Sequence, residues 1–288
     1  MRRSLTVVAL VGTLAGTTGC AEDVTAPPAS GAFFTMWGAL DPVTDFQAIR
    51  VIAVTDVLEP VPGPLDASVT STDLRTGQVT TWRDSLVSFP NGTSGHVFVA
   101  DVGVDYNGVY RVEARRADGT GSRATVTVPP RVEAFLESDE NGSPEEAALW
   151  PGVPQLNAPA LTLRIQDASC AVQFHDVELS DIALAEAEPF EFGWRTQFSL
   201  ARLREELPAH LASGALLQVT LRAEVASVEW RFPTDDFDPE ILIEPGAFTN
   251  VEDGFGFIGA AYPASLTWVP DPRATARAGF AVAGSCGP

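Results

Sequence analysis

Seven short runs of alternating apolar and polar residues follow one another through the first half of this 288-residue chain. Successive side chains of a strand point to opposite faces, so each run predicts a strand with one buried face. Short strands separated by turn residues at a spacing of about ten are typical of an all-β sandwich. The predicted strands are 33–40, 48–54, 67–74, 79–84, 96–100, 109–115 and 123–128.

The turns between these runs indicate an immunoglobulin-like arrangement. Thr76-Gly77 and Asp118-Gly119 lie between runs and suit the positive φ angles of tight hairpins. Asn107-Gly108-Val109-Tyr110 is similar to the start of a tyrosine corner, with Asp105 as its acidic residue. Pro129-Pro130 cannot donate to a ladder and ends the module. We therefore predict an immunoglobulin-like β-sandwich over residues 32–130.

The second half, residues 131–288, predicts a further β-rich domain, so the fold class is mainly β. Apolar residues alternate with polar ones from Gln218 to Val225, which predicts a strand with one wet face. One short amphipathic helix is predicted behind Ser199 as N-cap, because leucines recur at helical spacing, and Pro208 should bend or split it. The leucines are Leu200, Leu203, Leu207 and Leu211.

Other parts of the second half are predicted from local composition. The polar, proline-rich stretch 137–159 is interpreted as a long surface loop. Alternation predicts further strands at 161–166, 171–179, 266–269 and 279–283.

The N-terminus carries an export signal. Arg2 and Arg3 precede a short apolar run that ends in Gly19-Cys20, a pattern typical of a secretory signal over residues 1–19. The ending resembles a bacterial lipobox, which implies that Cys20 is acylated and attaches the protein to a membrane. Residues 20–31 then form a flexible tether. The alternative is an ordinary cleaved signal and a periplasmic or secreted protein.

Two further cysteines remain after Cys20. Cys170 and Cys286 lie in a chain destined for an oxidising compartment, where leftover cysteines usually pair. We predict a disulfide that joins the extreme C-terminus to the middle of the second domain.

The charge excludes several classes of function. The chain has 38 acidic residues against 18 basic ones, and every basic residue is arginine. Nucleic-acid binding requires a clustered positive surface, so no nucleic-acid partner is expected. Without lysine, the chain also lacks Schiff-base chemistry and a P-loop lysine.

No catalytic, metal or cofactor site is predicted. His96, His175 and His210 are far apart in sequence, without the spacing of metal ligands. Acidic clusters near Glu137 and Asp235 lack the full pattern of a calcium loop and are interpreted as solvated loops.

One glycine-rich motif attracts attention. Gly254, Gly256 and Gly259 match the spelling of a dinucleotide fingerprint, but Pro263 follows four residues after Gly259, and the motif needs a helix there. We interpret it as a structural, glycine-rich turn that permits close approach of the backbone.

The same segment carries a family resemblance. Pro245, Asn250, the acid Glu252 and the three glycines before Ala260 are similar to the ending of an uncharacterised family of Bacteroidota outer-membrane lipoproteins, known only as a domain of unknown function. The resemblance implies an outer-membrane location, on the periplasmic or the surface face. It also implies an accessory role in uptake beside a TonB-dependent receptor, and it carries no catalytic residues.

The first functional hypothesis is therefore a lipid-anchored, non-catalytic accessory or binding component of an uptake system. The alternative is a carbohydrate- or peptide-binding surface module, which requires exposed aromatic side chains. A hydrolase is the weakest of the three, since it rests on abundant carboxylates alone. The candidate aromatic residues are Trp37, Trp82, Trp150, Trp194, Trp230 and Trp268.

Overall fold

The computed structural model describes residues 31–55, 63–90, 92–137, 141–179, 185–190, 192–230 and 249–282. The signal segment, Cys20, most of the tether and Cys286 lie outside the described residues. The lipidation and the disulfide therefore stay predictions.

The first half is a two-sheet immunoglobulin-like sandwich. Its described strands are β1 Phe34–Leu40, β2 Phe46–Ala53, β3 Ser68–Asp73, β4 Val79–Thr81, β5 Arg83–Ser88, β6 Ser94–Asp101, β7 Val109–Arg115 and β8 Gly121–Thr127. Among these, β1, β2, β6 and β5 lie in one sheet, and β8, β7, β3 and β4 lie in the other.

The fourth predicted strand is two strands. Residues 79–84 divide at Trp82, because the chain leaves one sheet after β4 and enters the opposite sheet at β5. The Trp82 indole is buried between the sheets and donates to the Ser71 hydroxyl at 2.9 Å. A buried indole N–H needs such a partner, so this contact fixes the crossing point.

The expected tyrosine corner is present at the start of β7. The Asp105 N–H donates to the Tyr110 hydroxyl at 2.8 Å. Gly108 makes room for this ring, because a Cβ there would lie 2.5 Å from the Tyr110 Cε2 atom. The corner ties the loop before β7 to the strand itself.

The second half is a further sandwich with short helices. The described elements are β9 Phe135–Glu137, β10 Glu145–Pro151, β11 Gln155–Gln166, β12 Val172–Glu178, β13 Ala185–Phe190, β14 Gly193–Ser199, α1 Leu200–Glu206, α2 Ala209–Ala212, β15 Ala215–Ala226, β16 Val251–Glu252, β17 Gly254–Trp268 and α3 Pro272–Arg277.

The surface loop predicted for 137–159 is wrong. This stretch contains β10 and the start of β11, and β10 pairs with β14 over its whole length. Trp150 is fully buried, and its indole donates to the Thr196 hydroxyl at 3.2 Å. Pro144, Pro151 and Pro154 lie at or just outside the ends of these strands, and Pro159 lies inside β11 at the register shift between Asn157 and Ala160. Strand ends and bulges are the places where a proline interrupts little pairing.

The amphipathic helix divides at Pro208, as predicted. The chain between α1 and α2 loses helical geometry there, and the leucine stripe packs into the core of the second sandwich. Ser199 does stand at the N-cap, but its side chain makes no capping hydrogen bond. The strand predicted at 279–283 is absent from the described residues; α3 precedes it, with Asp271 as N-cap and Pro272 at the first turn.

One strand joins the two sandwiches. The first part of β17 pairs with β1 in parallel, and its second part pairs with β15 in antiparallel register. A continuous eight-stranded sheet results, in the order β12-β11-β15-β17-β1-β2-β6-β5.

The predicted domain boundary at residue 130 therefore omits one segment of the first sandwich. Val251, Ile258 and Ala260 are buried with the core of residues 34–128, whereas Tyr262 belongs to the second core. The segment from β16 to Ala260 completes the first sandwich, although it lies near the end of the chain.

Candidate functional site

The glycine motif is strand rather than turn. Gly256 adopts φ +95°, and a Cβ there would lie 2.2 Å from the Met36 carbonyl oxygen. A Cβ on Gly254 would lie 2.4 Å from the Phe34 carbonyl oxygen. The prediction of close backbone approach was right, because β17 runs against β1 at these positions, but the prediction of a turn was wrong.

The side chain of Asn250 stabilises the same segment of β17 by hydrogen bonds. It donates to the Ile258 carbonyl at 2.6 Å and accepts from the Ile258 N–H at 3.0 Å. The Ser122 hydroxyl accepts from the Phe34 N–H at 2.9 Å and donates to the Asp253 carbonyl at 2.6 Å. These residues join β8, β1 and β17, so the motif is structural.

Gly259 has a different role, on the outer side of the sheet. A Cβ there would lie 2.6 Å from the Trp230 Cε3 atom and 2.7 Å from the Phe257 Cε1 atom. The two rings meet edge to face, with their centroids 5.3 Å apart. Because Gly259 has no side chain, the Trp230 and Phe257 rings can pack against the outer surface of β17.

This pair continues across the sheet. Phe257 lies opposite Trp37, Trp37 lies opposite Arg50, and Arg50 lies opposite Val97. Directly opposed residues share a face of the sheet, and Phe34 and Met36 point to the buried side. The row from β17 to β6 consequently faces outward.

Arg50 and Phe89 form the other end of this row. The guanidinium carbon lies 4.9 Å from the centroid of the Phe89 ring, a cation–π geometry. Gly95 makes room for both, since a Cβ there would lie 3.1 Å from the ring and 3.3 Å from Arg50 Nε. We call the surface formed by these residues the aromatic face; it comprises Trp37, Arg50, Ile52, Phe89, Trp230 and Phe257.

The aromatic face is solvent-accessible at its centre. Trp37 is 47% exposed and Ile52 is 39% exposed, while Phe46, at the other end of β2, is 50% exposed. Among the six tryptophans, Trp82 and Trp150 belong to the cores, and Trp194, Trp230 and Trp268 are partly buried. All six were candidates for a binding surface, and Trp37 has the most exposed side chain among them.

Arg50 lacks a carboxylate partner among the described residues. Its Nε atom is buried without a hydrogen-bond acceptor in that part of the chain, and the described ion pairs do not include it. Among the described residues, the Arg50 guanidinium is therefore a cation without a neutralising carboxylate, in a protein with a large excess of acidic residues.

On the other half of the eight-stranded sheet, the outer surface of β11 and β15 is polar, and Phe174 is exposed beside it on the edge strand β12. Asp176 accepts from the Thr162 hydroxyl at 2.6 Å and from Arg222 at 2.7 Å, and Thr220 lies 3.0 Å from Thr267 between their hydroxyl oxygens. The aromatic face therefore lies on the strands of the first sandwich, apart from Trp230, which follows β15.

A polar cleft between β7, β8 and the Asp253 turn is a weaker candidate. It encloses about 230 Å³, but its charges already pair. Arg123 lies 2.6 Å from Glu252, and Arg115 lies 3.1 Å from Glu113. Paired charges leave little unsatisfied chemistry for a ligand.

The three histidines remain apart. His96 is buried, with Nδ1 2.9 Å from Asp84 and Nε2 2.9 Å from the Gly63 carbonyl; His175 lies on β12 and His210 on α2. Burial alone would lower the pKa of His96, but the Asp84 hydrogen bond, the Gly63 carbonyl and the Asp84 charge outweigh it and raise the pKa above 6.5. Within the described ranges, no three side chains are grouped to hold a metal ion.

Glu146 is a second perturbed group. Burial and then repulsion by Asp271 raise its pKa to about 7. It lies on β10, away from the aromatic face, and is one carboxyl of the predicted acidic cluster; Glu137 of that cluster pairs with Arg195 at 2.9 Å. The Asp235 cluster lies outside the described residues.

Among the helices that the structure describes, none combines the length and apolar character that crossing a bilayer demands. Cys170 ends the turn between β11 and β12 with φ +68°, and its predicted partner Cys286 is not among the described residues.

Comparison with known proteins assigns this chain to no family. No family model matches it, and no curated protein matches it either. The resemblance to the Bacteroidota lipoproteins therefore stays a prediction.

Solved structures with similar strand arrangements are remote. A chain of a cytokine receptor complex has a TM-score of 0.25 and 9% identity, over 82% of this chain and 96% of that chain. A tandem repeat from the extending region of a large adhesion protein has 0.21 and 10%, over 83% and 49%. Bovine butyrophilin has 0.19 and 15%, over 66% and 91%. At such low scores these likenesses support no conclusion, and the mainly β, immunoglobulin-like class rests on the sheets of this chain.

Proposed function

We propose that this chain is a non-catalytic binding protein of the cell envelope that recognises its partner through the aromatic face. The observation that carries the proposal is the half-exposed Trp37 in line with Phe257 and with Arg50, which has no carboxylate partner among the described residues. A contiguous exposed apolar surface on a soluble domain marks an interaction site. Tryptophan and arginine are also the residues that most often carry binding energy.

The arrangement is built for recognition rather than for folding. Outward side chains contribute little to the core, which Phe34, Met36 and Ile258 fill from the other side. Gly95 and Gly259 remove side chains from the same outer surface so that rings and a guanidinium can lie there. Apolar area left in water forgoes about 25 cal/mol per Å², and contact with a partner would recover that free energy.

The envelope location is supported by the sequence. The signal-like segment and Cys20 precede a proline-rich tether, and β1 begins at Phe34 directly after it. In this proposal an acylated Cys20 holds the sandwich at the outer membrane, and a TonB-dependent receptor is the candidate partner implied by the family resemblance.

The test compares three full-length variants in cells that produce the protein. Wild type, Trp37→Ala and Phe174→Ala are purified from solubilised outer membrane, and the co-purifying components are quantified. Phe174 is the matched control, because it is an aromatic residue that is 71% exposed on β12, the edge strand in the other half of the same sheet. We expect wild type and Phe174→Ala to retain a component that Trp37→Ala loses. Equal amounts of co-purifying components with all three proteins would show that the aromatic face is not the binding surface.

The anchor is tested separately. Cys20→Ser should move the protein from the membrane to the soluble fraction, and mass spectrometry of the wild-type N-terminus should find a fatty-acylated cysteine. An unmodified N-terminus would leave the binding function standing without its anchor.

A saccharide is the second candidate ligand. An exposed indole can stack against the apolar side of a sugar ring, and Trp37 presents such a ring on an open surface. A glycan array with the soluble Cys20→Ser protein tests this. Binding that Trp37→Ala abolishes would support the saccharide; a blank array would exclude the glycans it displays.

A further inference from the structure

We infer that the aromatic face docks on a protein surface that presents carboxylates among apolar side chains. The inference rests on the proposed binding function and specifies the chemistry of its partner. It follows from the charge of this face, from the position of Arg50 and from the shape of the surface.

The aromatic face reverses the charge balance of the molecule. The outward positions of β17 up to Gly259 and of β1, β2, β6 and β5 carry three charged residues, Arg50, Arg83 and Asp101. The whole chain has more than twice as many acids as bases. A local excess of arginine on an acidic protein favours an acidic partner and disfavours a second copy of this chain.

The side chain of Arg50 is already ordered before any partner binds. Phe89 supports its guanidinium at 4.9 Å, and Gly95 leaves space beneath it. Within the part of the chain that the structure describes, its position is therefore held by packing rather than by an acid. Arginine binds a carboxylate through two parallel hydrogen bonds, and a side chain that is already ordered loses less entropy on binding.

The composition of the surface favours a protein over a saccharide. Small ligands are usually held in concave pockets with several polar groups. Here Trp37 and Ile52 lie across an open sheet face, and the neutral hydroxyl side chains at the outward positions of the same five strands are Thr35 and Ser85. Aromatic residues and arginine with few acids are the composition of a protein interface core.

The experiment places a photoreactive residue on the face of the full-length protein. p-Benzoylphenylalanine replaces Ile52, which adjoins Trp37, and in a matched strain it replaces Phe174. After illumination of producing cells, adducts are identified by mass spectrometry. We expect an adduct with one other protein at position 52 and not at position 174.

That protein is then purified and its affinity measured by calorimetry. We expect Trp37→Ala and Arg50→Glu each to weaken binding at least about tenfold, Arg50→Lys to weaken it less, and Phe174→Ala to leave it unchanged. Reversing a contacting carboxylate of the partner to lysine should restore binding to Arg50→Glu. Circular dichroism confirms that each variant is folded; Arg50→Gln replaces Arg50→Glu if the latter is not.

The outcomes separate the two proposals. A glycan or lipid adduct at position 52 would overturn the acidic protein partner and keep the binding face. An adduct within the chain or with a second copy, or a binding protein that ignores Arg50→Glu and Arg50→Gln, would also overturn the inference. No adduct at position 52 would overturn both proposals.

Discussion

The side chain of Asn250 hydrogen-bonds both backbone groups of Ile258, as a neighbouring strand would do. Ile258 is fully buried in the first core, so its N–H and C=O need partners. A residue in the segment before β16 thus supplies the pairing that β17 lacks on that side. The family-like segment is explained by this contact and by the glycines that approach β1.

Asn250→Ala should destabilise the protein by about 2–4 kcal/mol, because two buried backbone groups lose their partners. Urea unfolding followed by fluorescence measures the free energy of unfolding. Asn250→Asp keeps an acceptor for the Ile258 N–H and should recover only part of the loss. If Asn250→Ala unfolds at the wild-type urea concentration, the contact is not structural.

Gly256→Ala should destabilise the protein by more than about 3 kcal/mol, because φ is positive and the new Cβ would strike the Met36 carbonyl. Gly77→Ala is the matched control, since Gly77 has φ +76° with open space around it. It should cost only about 1 kcal/mol. Equal thermal unfolding midpoints for the two variants would contradict the close approach of β17 and β1.

His96 should make stability fall as the pH rises above 6.5. Both ring nitrogens face acceptors, and the folded-state pKa is raised above 6.5. Its contribution is therefore complete below pH 6.5 and is lost as the pH passes the folded pKa. His96→Gln should remove this part of the pH dependence of the unfolding midpoint. An unchanged pH profile would rule out the charged imidazole.

Glu146 should act in the same direction over a lower window. Its pKa rises from 4.5 to about 7 on folding, so the folded state favours the protonated acid, and stability falls as the pH rises through this range. Glu146→Gln should raise the unfolding midpoint at pH 8 and have little effect near pH 4. Glu145→Gln, an exposed neighbour on β10, should be neutral at both values; a matching gain there would point to net charge instead.

The predicted disulfide between Cys170 and Cys286 is tested by peptide mapping without reduction. We expect one linked peptide that disappears on reduction. Cys170→Ser and Cys286→Ser should each reduce stability by the same amount, up to about 4 kcal/mol, because the bond closes a long loop. Unequal losses, or two unlinked peptides, would contradict the pairing.

The sequence predicted those parts of the fold that depend on local alternation. The strands of the first sandwich and the break at Pro208 follow from side-chain period and from proline chemistry. Strand β10 was not predicted, because Glu145, Glu146 and nearby prolines made the stretch resemble a loop, although it contains the buried Trp150.

The pairing of β17 with β1 depends on contacts between distant residues, which local patterns do not encode. The glycines of that segment suggested a turn because they lack side chains, yet in the sheet the same property permits close packing. The aromatic face was also hidden. β1 is apolar at Phe34 and Met36 and at Trp37 as well, so alternation alone does not tell which side faces water.

The shared strand β17 governs the order in which the protein can be assembled. During synthesis, β1, which begins at Phe34, is the first of the described strands to leave the ribosome. Its parallel neighbour β17, which begins at Gly254, is made much later. The first sandwich therefore stays open along one edge of β1 until the segment around Gly254 has been made. Unpaired edges invite wrong pairing, so β1 is exposed to incorrect strand pairing throughout this interval.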